Sequence, residues 1–199
     1  MNSLYKSFIN TEIGEMIAVA SEKGICLLDF ADNKLLDKNI SQLKKYFKAD
    51  LIYSLNNPLI NLKVQLEEYF KGERTDFDIS LGFDLPHLSS MRGSLLEFLP
   101  KQSRRGGISL DLVGTEFQKK VWISLLNIPY GQTISYTKQA ENLGIPTAVR
   151  AVANANGKNK ISIILPCHRV IGSDGRLTGY AGGIWRKKKL LEMEFRHKL

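Results

Sequence analysis

Residues 115–156 read TEFQKKVWISLLNIPYGQTISYTKQAENLGIPTAVRAVANAN, and this stretch decides the fold class of the C-terminal part of the chain. Its apolar residues first recur at helical spacing, which predicts an amphipathic helix that ends at 128–131. A second helix is predicted over Thr133–Leu143 with Gly144 as its left-handed C-cap, and a third begins near Pro146. Two short helices around a Gly-containing turn are typical of a helix-turn-helix, although many other helical domains contain such a pair.

The excess positive charge of the chain lies in the same part. Residues 115–199 carry 14 Lys and Arg against 5 Asp and Glu, a balance of +9, whereas residues 1–114 carry 14 against 15, a balance of −1. A basic half of this kind is either a solvated face or a surface that binds a polyanion such as nucleic acid. Charge alone leaves both interpretations open.

Residues 1–81 predict a small α/β domain in which helices pack on a sheet. Three short strands are expected, at Leu4–Asn10, Glu15–Ser21 and Gly24–Ala31. Turn signals at Ile13-Gly14 and Lys23-Gly24 separate them. Helical spacing follows at 39–47 and, more strongly, at 58–71. Cys26 lies inside an apolar strand and is most simply a buried small hydrophobe.

Residues 82–114 have the composition of a loop-like inserted segment and linker between this domain and a helical domain over 115–199. A loop of this length is uncommon inside a compact domain. The tripeptide Ile-Ser-Leu occurs at 79–81 and again at 108–110, so identical sequences border residues 82–107. Removal of one copy joins FDISL to DLVGT, an ordinary linker. We therefore expect an insertion that the fold tolerates.

Composition limits the classes of protein that the chain can belong to. A hydrophobic fraction of 43% and a charged fraction of 24% are ordinary for a globular protein. The N-terminus has no basic stretch followed by an apolar run, and no apolar stretch is long enough for a membrane span. The two cysteines, Cys26 and Cys167, lack metal-type spacing. Reduced thiols and a cytoplasmic location are therefore expected.

The residues after the helix pair include the candidate nucleophile and its neighbouring base. The third helix offers mostly Ala and Val with Arg150 as its one long polar group, which is too little to read a base sequence. An apolar run then leads to Leu165-Pro166-Cys167-His168-Arg169-Val170. A thiol is a good nucleophile only as a thiolate, and a neighbouring imidazole can take its proton. Pro166 fixes the backbone just before this Cys-His pair.

In this context the sequence resembles the O6-alkylguanine-DNA alkyltransferases, the methylated-DNA–protein-cysteine S-methyltransferase family. The resemblance runs from about residue 114 to 194 and rests on GTEFQKKVW, IPYGQTISY, AVRAVANAN, PCHRVIG, GYAGG and LLEME, in that order. It implies an α/β N-terminal domain and a mainly α C-terminal domain with a helix-turn-helix and an active-site loop. The N-terminal part is similar to the family less specifically.

The resemblance implies DNA repair by direct damage reversal. Cys167 would take a methyl or alkyl group from guanine O6, and possibly thymine O4, in a stoichiometric and irreversible reaction. His168 would act as its base through a bridging water, with Glu194 orienting the imidazole. Asn159 would hold the hinge between the recognition helix and the active-site loop. Tyr136 would crowd the target phosphate and could donate a proton to the departing base.

The same resemblance assigns the DNA contacts and the pocket. The partner would be double-stranded DNA bound from the minor groove, with the small side chains of Ala148 and Ala151 allowing close approach. Arg150 would fill the gap left by the flipped nucleotide. The pocket for the flipped base would be lined by Val170, Tyr180 and Ala181. No cofactor, no metal and a monomer are expected.

Two departures from the family pattern bear on these expectations. Ser162 stands where some members have a Pro that packs on bulky substituents, so methyl transfer should be favoured over benzyl transfer. Some relatives bind zinc through Cys and His in the N-terminal domain, but the histidines here are His87, His168 and His197. Cys26 therefore has no suitable set of partners.

Three other functions remain as alternatives. A DNA-binding module explains the basic half and the helix pair but gives no reason for Pro-Cys-His-Arg. A catalytically silent relative that only marks lesions would lack the acceptor cysteine, which is present. A cysteine hydrolase would turn over, and the usual surroundings of its nucleophile are absent. Intact mass after mixing with O6-methylguanine DNA separates all three from alkyl transfer.

Overall fold

The computed structural model describes residues 3–81 and 107–197. It divides into two compact units, one formed by residues 3–81 with 107–113 and the other by residues 114–197. The first is a sheet with helices and the second is mainly helical, so the predicted fold class is confirmed. Within the described residues no helix is long and apolar enough to cross a membrane.

The N-terminal unit is built on a six-stranded sheet. Its strands are β1 (Leu4–Thr11), β2 (Gly14–Ala20), β3 (Ile25–Phe30), β4 (Leu51–Tyr53), β5 (Ile79–Leu81) and β6 (Ile108–Leu110), in the order β4-β1-β2-β3-β6-β5. The three predicted strands are present and form an antiparallel meander, and the other pairings are parallel. The short edge strand β4 gave no sequence signal.

Two helices belong to this sheet unit. Helix α1 (Leu36–Phe47) packs its apolar side on Leu4, Val19 and Leu27, and α2 (Asn57–Phe70) buries Leu59, Leu62 and Leu66. Asn56 caps α2 by accepting a hydrogen bond from the amide of Leu59. Cys26 is fully buried in β3, as predicted, and burial raises the pKa of its thiol above its ordinary range.

The end of the 82–114 segment differs from the loop-like prediction. Residues 108–110 form β6, which lies between β3 and β5 inside the sheet. The close approach of β6 to β3 requires Gly24, because a Cβ there would lie 2.5 Å from the carbonyl oxygen of Ser109. The prediction missed this strand because a three-residue apolar run carries too little periodicity. Residues 82–106, including His87, lie outside the described residues.

The C-terminal unit holds the helix-turn-helix. Its elements are α3 (Glu116–Ser124), β7 (Ile134–Ser135), α4 (Tyr136–Asn142), α5 (Val149–Asn156), β8 (Val170–Ile171) and α6 (Ile184–Arg196). Thr115 and Gln118 form a capping box at the start of α3. Gly144 has φ +72° between α4 and α5, as a left-handed C-cap requires. The structure starts α4 three residues later than predicted, because residues 134–135 pair with β8 instead.

Packing among α3, α4 and α5 fixes this helix pair. A buried apolar cluster joins Val121 of α3, Ala140 of α4 and Val152 of α5. Trp122 is buried beneath them, and its indole nitrogen donates a 2.7 Å hydrogen bond to the carbonyl oxygen of Ala155. The polar atom of this large side chain is therefore satisfied where α5 ends.

Candidate active site

Cys167 begins a short 3₁₀ turn, Cys167–Arg169, directly after Pro166. The Cys167 side chain is almost enclosed, with 7% of the residue exposed. Its backbone amide donates to the carbonyl oxygen of Leu165 at 2.8 Å, which closes a tight turn around Pro166. The thiol is therefore largely shielded from bulk solvent.

Asn159 connects the end of the helix-turn-helix to this cysteine. Its amide nitrogen lies 3.2 Å from Sγ of Cys167 and donates to the carbonyl oxygen of Leu165 at 2.8 Å. Its amide oxygen accepts from the backbone of Ile161 at 3.0 Å. One buried side chain therefore holds both ends of the loop that precedes the thiol. This position is consistent with the hinge predicted for Asn159, which remains a prediction.

The loop that Asn159 holds contains a strained residue. Ile163 has φ +71°, and the amide of Ile164 donates to the carbonyl oxygen of Ser162 at 2.8 Å across it. A positive φ is unfavourable for a β-branched residue and costs about 1–3 kcal/mol. Ser162 is buried within this turn, so it lies in the loop before the thiol, as its place in the sequence implied.

His168 and Glu194 form a buried pair behind the thiol. Nε2 of His168 lies 2.8 Å from Oε1 of Glu194, and both side chains are fully buried. Glu194 is therefore not a solvated residue of the terminal helix, although it lies only five residues before the end of the chain. The amide of Gly131 also donates to Oε2 of Glu194 at 3.1 Å. The predicted pair is brought together although its members are 26 positions apart.

Arg169 completes this cluster, and its role was not predicted from the sequence. Its guanidinium donates to both oxygens of Glu194, at 3.2, 3.0 and 2.9 Å, and to the carbonyl oxygen of Ile128 at 2.6 Å. A bidentate contact of this kind matches the planar geometry of a carboxylate. The only available signal was the position of Arg169 inside the PCHRV motif.

The electrostatics of the cluster keep Glu194 ionised and His168 neutral. Burial opposes the charge on Glu194, but His168 and Arg169 outweigh it and hold its pKa far below the ordinary carboxyl range. Burial lowers the pKa of His168 below its ordinary value even though Glu194 favours the protonated form. Nε2 then carries the proton and donates to Glu194. Nδ1 has no hydrogen-bond partner within residues 3–81 and 107–197, so its lone pair can accept a proton.

Tyr136 stands at the start of α4, next to the loop that follows β8. Its hydroxyl donates to the carbonyl oxygen of Thr178 at 3.1 Å and approaches that of Gly179 at 3.5 Å. The next two residues are the predicted pocket residues Tyr180, which is buried, and Ala181, which is exposed. Val170 is fully buried. The ring of Tyr180 meets that of His168 edge-on, with centroids 6.4 Å apart.

Lys187 is a buried cation near the thiol that sequence reasoning missed. Its ammonium donates to the carbonyl oxygens of Val170 and Thr178, both at 2.6 Å, and lies 5.8 Å from the ring centre of Tyr136. Burial lowers its pKa to about 8, and the charge of Cys167 opposes that shift. Lysine rarely occurs fully buried unless paired, but nothing in the run RKKK distinguishes it from exposed Lys188 and Lys189.

Of the predicted DNA-contacting residues, Tyr136 begins α4, whereas the other three lie on α5 or directly before it. Arg150 and Ala151 are exposed on α5, and Ala148 lies half-buried just before that helix. Asn159 contacts Cys167, and Glu194 contacts the next residue, His168, so these four residues lie together. Tyr136 and Lys187 both donate to the carbonyl oxygen of Thr178, and the charge of Lys187 interacts with Cys167. The described ranges hold no group of three His, Cys, Asp or Glu side chains that could bind a metal ion.

Comparisons with known proteins match both units. Residues 116–196 match the model "6-O-methylguanine DNA methyltransferase, DNA binding domain", and residues 4–83 match "6-O-methylguanine DNA methyltransferase, ribonuclease-like domain". A methylated-DNA–protein-cysteine methyltransferase of Methanosarcina barkeri is 36% identical over 194 residues, which are 96% of this chain and 97% of the relative. The chain belongs to the 6-O-methylguanine DNA methyltransferase family.

Other members of the family are also similar. The enzyme of the same name from Mycobacterium tuberculosis is 48% identical over 130 residues, which span 65% of this chain and 61% of that relative's length. A crystal structure of Mycobacterium tuberculosis OGT in complex with DNA has a TM-score of 0.69 at 34% identity, with 98% of this chain and 94% of that chain covered. Neither family model covers residues 84–115, which include most of the predicted insertion.

Proposed function

We propose that this protein repairs DNA by moving an alkyl group from guanine O6 to its own Cys167. The observation that best supports this proposal is the arrangement around the thiol. A nearly enclosed Cys167 precedes a neutral, fully buried His168, whose Nε2 lies 2.8 Å from Oε1 of Glu194. A buried imidazole held by a carboxylate is suited to take a proton from a neighbouring nucleophile. The names of the relatives support the same reaction.

Proton removal from Cys167 comes first in the proposed mechanism. Because Glu194 accepts from Nε2, the lone pair of His168 lies on Nδ1, and a water molecule would carry the proton from the thiol to it. The imidazolium formed is stabilised by the ionised carboxylate of Glu194. Asn159, whose amide nitrogen lies 3.2 Å from Sγ, stabilises the thiolate by donating to it.

The alkyl transfer is a single displacement at carbon. The Cys167 sulfur forms a bond to the alkyl carbon while the bond from that carbon to guanine O6 breaks and its electron pair stays on the base. The base then gains one proton, for which the hydroxyl of Tyr136 is the nearest proposed donor. The product is a thioether, which no group of the site can hydrolyse. Each protein molecule therefore acts once, without a cofactor.

Access to the alkyl group requires the nucleotide to leave the double helix, because O6 is not reachable within a stacked duplex. We propose minor-groove binding through α5, where Ala148 and Ala151 permit close approach and Arg150 occupies the gap. Tyr136 would turn the target nucleotide outward at its phosphate. Such docking tolerates any flanking sequence, which suits a protein that searches for damage.

The flipped base would enter between Val170 and the loop that carries Tyr180 and Ala181. Tyr180 lies beside His168, so a base on that surface would bring its O6 substituent toward the thiol. The preference for methyl over benzyl groups, based on Ser162, remains part of the proposal. So does a monomeric state, with double-stranded DNA as the partner.

Intact mass spectrometry after incubation with O6-methylguanine duplex DNA tests the proposal. We expect one methyl group per protein molecule, located on Cys167 by peptide mapping, and no further uptake with excess DNA. Cys167→Ser should take up none yet still bind DNA, and the control Cys26→Ala should behave as wild type. Guanine formation beyond one equivalent would indicate a hydrolase. Binding without methyl uptake would leave only a DNA-binding module.

A further inference from the structure

Two buried amide side chains join the helices of the helix-turn-helix outside the active site. Gln139 lies on α4 and Asn156 is the last residue of α5, and both are almost completely buried. The amide nitrogen of Asn156 donates to the amide oxygen of Gln139 at 2.6 Å. Both helices also contribute side chains to the buried apolar cluster of this unit, so the amide contact is a polar one in the protein interior.

The pair also extends to α3. The amide nitrogen of Gln139 donates to Ser124 Oγ at 3.0 Å and to the carbonyl oxygen of Val121 at 3.2 Å. Ser124 in turn donates to the carbonyl oxygen of Val121 at 2.7 Å. These contacts fix which atom of each amide faces the other. A single hydrogen-bonded chain therefore links all three helices of the DNA-binding region.

This network is not fully satisfied. The amide oxygen of Asn156 is buried and has no hydrogen-bond partner among residues 3–81 and 107–197. A buried acceptor without a partner costs free energy, whereas two apolar side chains of similar shape at the same positions would not. The amide pair therefore stabilises the unit less than apolar residues would, and its presence calls for a reason other than stability.

The position of the pair supplies that reason. Gln139 is one helical turn after Tyr136 on α4, and Asn156 is on the same helix as Arg150. Asn156 also accepts, through its backbone oxygen, a 3.1 Å hydrogen bond from the amide of Asn159, which holds the thiol loop. Apolar contacts alone tolerate sliding of two short helices, whereas a directional hydrogen bond selects one register.

We propose that Gln139 and Asn156 are positioning residues that set the placement of Arg150 relative to Tyr136 for nucleotide flipping. This inference rests on the proposed function of alkyl transfer from duplex DNA. It predicts that stability and repair of duplex DNA respond to the pair in opposite directions. A structural role alone would change both in the same direction.

The test compares Gln139→Met, Asn156→Leu and the double variant with wild type. Both tryptophans, Trp122 and Trp185, belong to the C-terminal unit, so tryptophan fluorescence follows the unfolding of this unit. Each single variant should lower the unfolding midpoint by roughly 2–10 °C because one amide loses its partner. The double variant should unfold at or above the wild-type temperature. A double variant that unfolds below the wild-type temperature would overturn the inference.

Repair is measured in single turnovers on duplex DNA and on the free O6-methylguanine base. The limiting rate of the double variant on duplex DNA should be lower than that of wild type by a factor of about ten or more. Misplacement of a group by about 1 Å is enough to reduce a rate by this much. Its rate with the free base should stay within about twofold of wild type, since no stack has to be opened. The matched control, Gln42→Met with Asn142→Leu, changes one exposed Gln and one exposed Asn and should leave every value unchanged.

The outcomes separate this inference from the proposed function. Failure of wild type to methylate Cys167 with either substrate refutes alkyl transfer itself. Normal methylation by wild type, together with a wild-type duplex rate in the double variant, refutes only the positioning role. Equal slowing of the double variant on duplex and free base also refutes it, because the pair would then act on the thiol site.

Discussion

Nε2 of His168 lies 2.8 Å from Oε1 of Glu194, and the guanidinium of Arg169 contacts the same carboxylate at 2.9 Å. Glu194 therefore has two buried partners, one of which is always charged and the other of which is neutral. Arg169 is a permanent cation that needs the charge of Glu194, whereas His168 must stay neutral to act as a base. Burial keeps the pKa of His168 low while Glu194 remains ionised, which is the combination that the proposed mechanism requires.

Glu194→Gln should destabilise the C-terminal unit by about 3–5 kcal/mol, because it leaves Arg169 buried without a countercharge. Since the pKa of Glu194 is lowered by folding, its contribution is complete above the ordinary carboxyl pKa of about 4.3 and is lost as the pH falls. Urea unfolding followed by tryptophan fluorescence at neutral and acidic pH measures this. The difference between wild type and variant should shrink at acidic pH.

The double variant Glu194→Gln with Arg169→Met separates stability from catalysis. Removal of both charges should restore most of the lost stability, since the double variant contains no buried guanidinium without a countercharge. The single-turnover rate should remain low, because His168 still lacks the carboxylate that stabilises its protonated form. Recovery of the wild-type rate would show that Glu194 has only a structural role.

The rate of methyl transfer should persist into mildly acidic solution. His168 must be neutral to accept the proton, and burial lowers its pKa below the ordinary value of about 6.5. The acid limb of the pH–rate profile should therefore have its midpoint below that value. Single-turnover rates on the free O6-methylguanine base avoid the pH dependence of DNA binding. A midpoint at or above the ordinary histidine pKa would argue against His168 as the base.

Lys187→Met should raise the pH at which Cys167 reaches half its maximal reactivity by about one unit, because a buried positive charge near the thiol favours the thiolate. The pKa of Lys187 is about 8, so the lysine is largely protonated at neutral pH. Iodoacetamide labelling of Cys167 across a range of pH values gives this midpoint. Lys188→Met removes an exposed charge one residue later and should leave it unchanged.

The sequence predicted the elements whose residues repeat with a regular period. The three strands of the meander, helices α1 and α2 and the helix-turn-helix all follow from apolar spacing and turn residues. The short strands β4, β6 and β7 could not be predicted, because two or three residues contain no period. Their conformations depend on neighbours that are distant in sequence, such as Gly24 beside β6.

Within the site, the resemblance pointed to Cys167, His168, Glu194 and Asn159, whose roles remain predictions, whereas Arg169 and Lys187 were not identified from the sequence. Cys167 and His168 are adjacent in one motif, but Lys187 occurs in a basic run and differs from Lys188 only in the direction of its side chain. By their residue types, Gln139 and Asn156 look like surface residues of their helices. Their burial is a product of tertiary packing, which local sequence does not encode.

Arg150→Ala should slow repair of duplex DNA much more than reaction with the free modified base. The side chain is exposed on α5, and opening a base stack costs about a few kcal/mol, which an inserted guanidinium helps to offset. Parallel single-turnover measurements on both substrates provide the ratio. Equal slowing on both would assign Arg150 a structural role. Arg176→Ala, at another exposed arginine, is the control.

Deletion of residues 82–110 should leave both stability and repair rate unchanged. The two Ile-Ser-Leu tripeptides form adjacent parallel strands in register, and Ser80 Oγ lies 2.9 Å from Ser109 Oγ. Because the tripeptides are identical, deletion of 82–110 yields the same chain as deletion of 79–107. The shortened protein thus retains β6 beside β3, with Asp111 still placed to bond Ile25 and Ser21. Only the edge strand β5 is lost.

The backbone geometry favours this rejoining. The amide of Ile108 already donates to the carbonyl oxygen of Asp78 at 2.6 Å, so a direct peptide bond between these residues needs only a local shift. The entropy of loop closure changes by only about 0.6 kcal/mol per doubling of loop length, so the change in chain length strongly favours neither form. The unfolding midpoint and the single-turnover rate at two salt concentrations test the deletion. The deletion variant could instead repair DNA more slowly than wild type, with a loss that grows as salt is raised. That result would assign Lys101, Arg104 and Arg105 to the DNA-binding surface, because lost phosphate contacts weaken binding most where salt already competes.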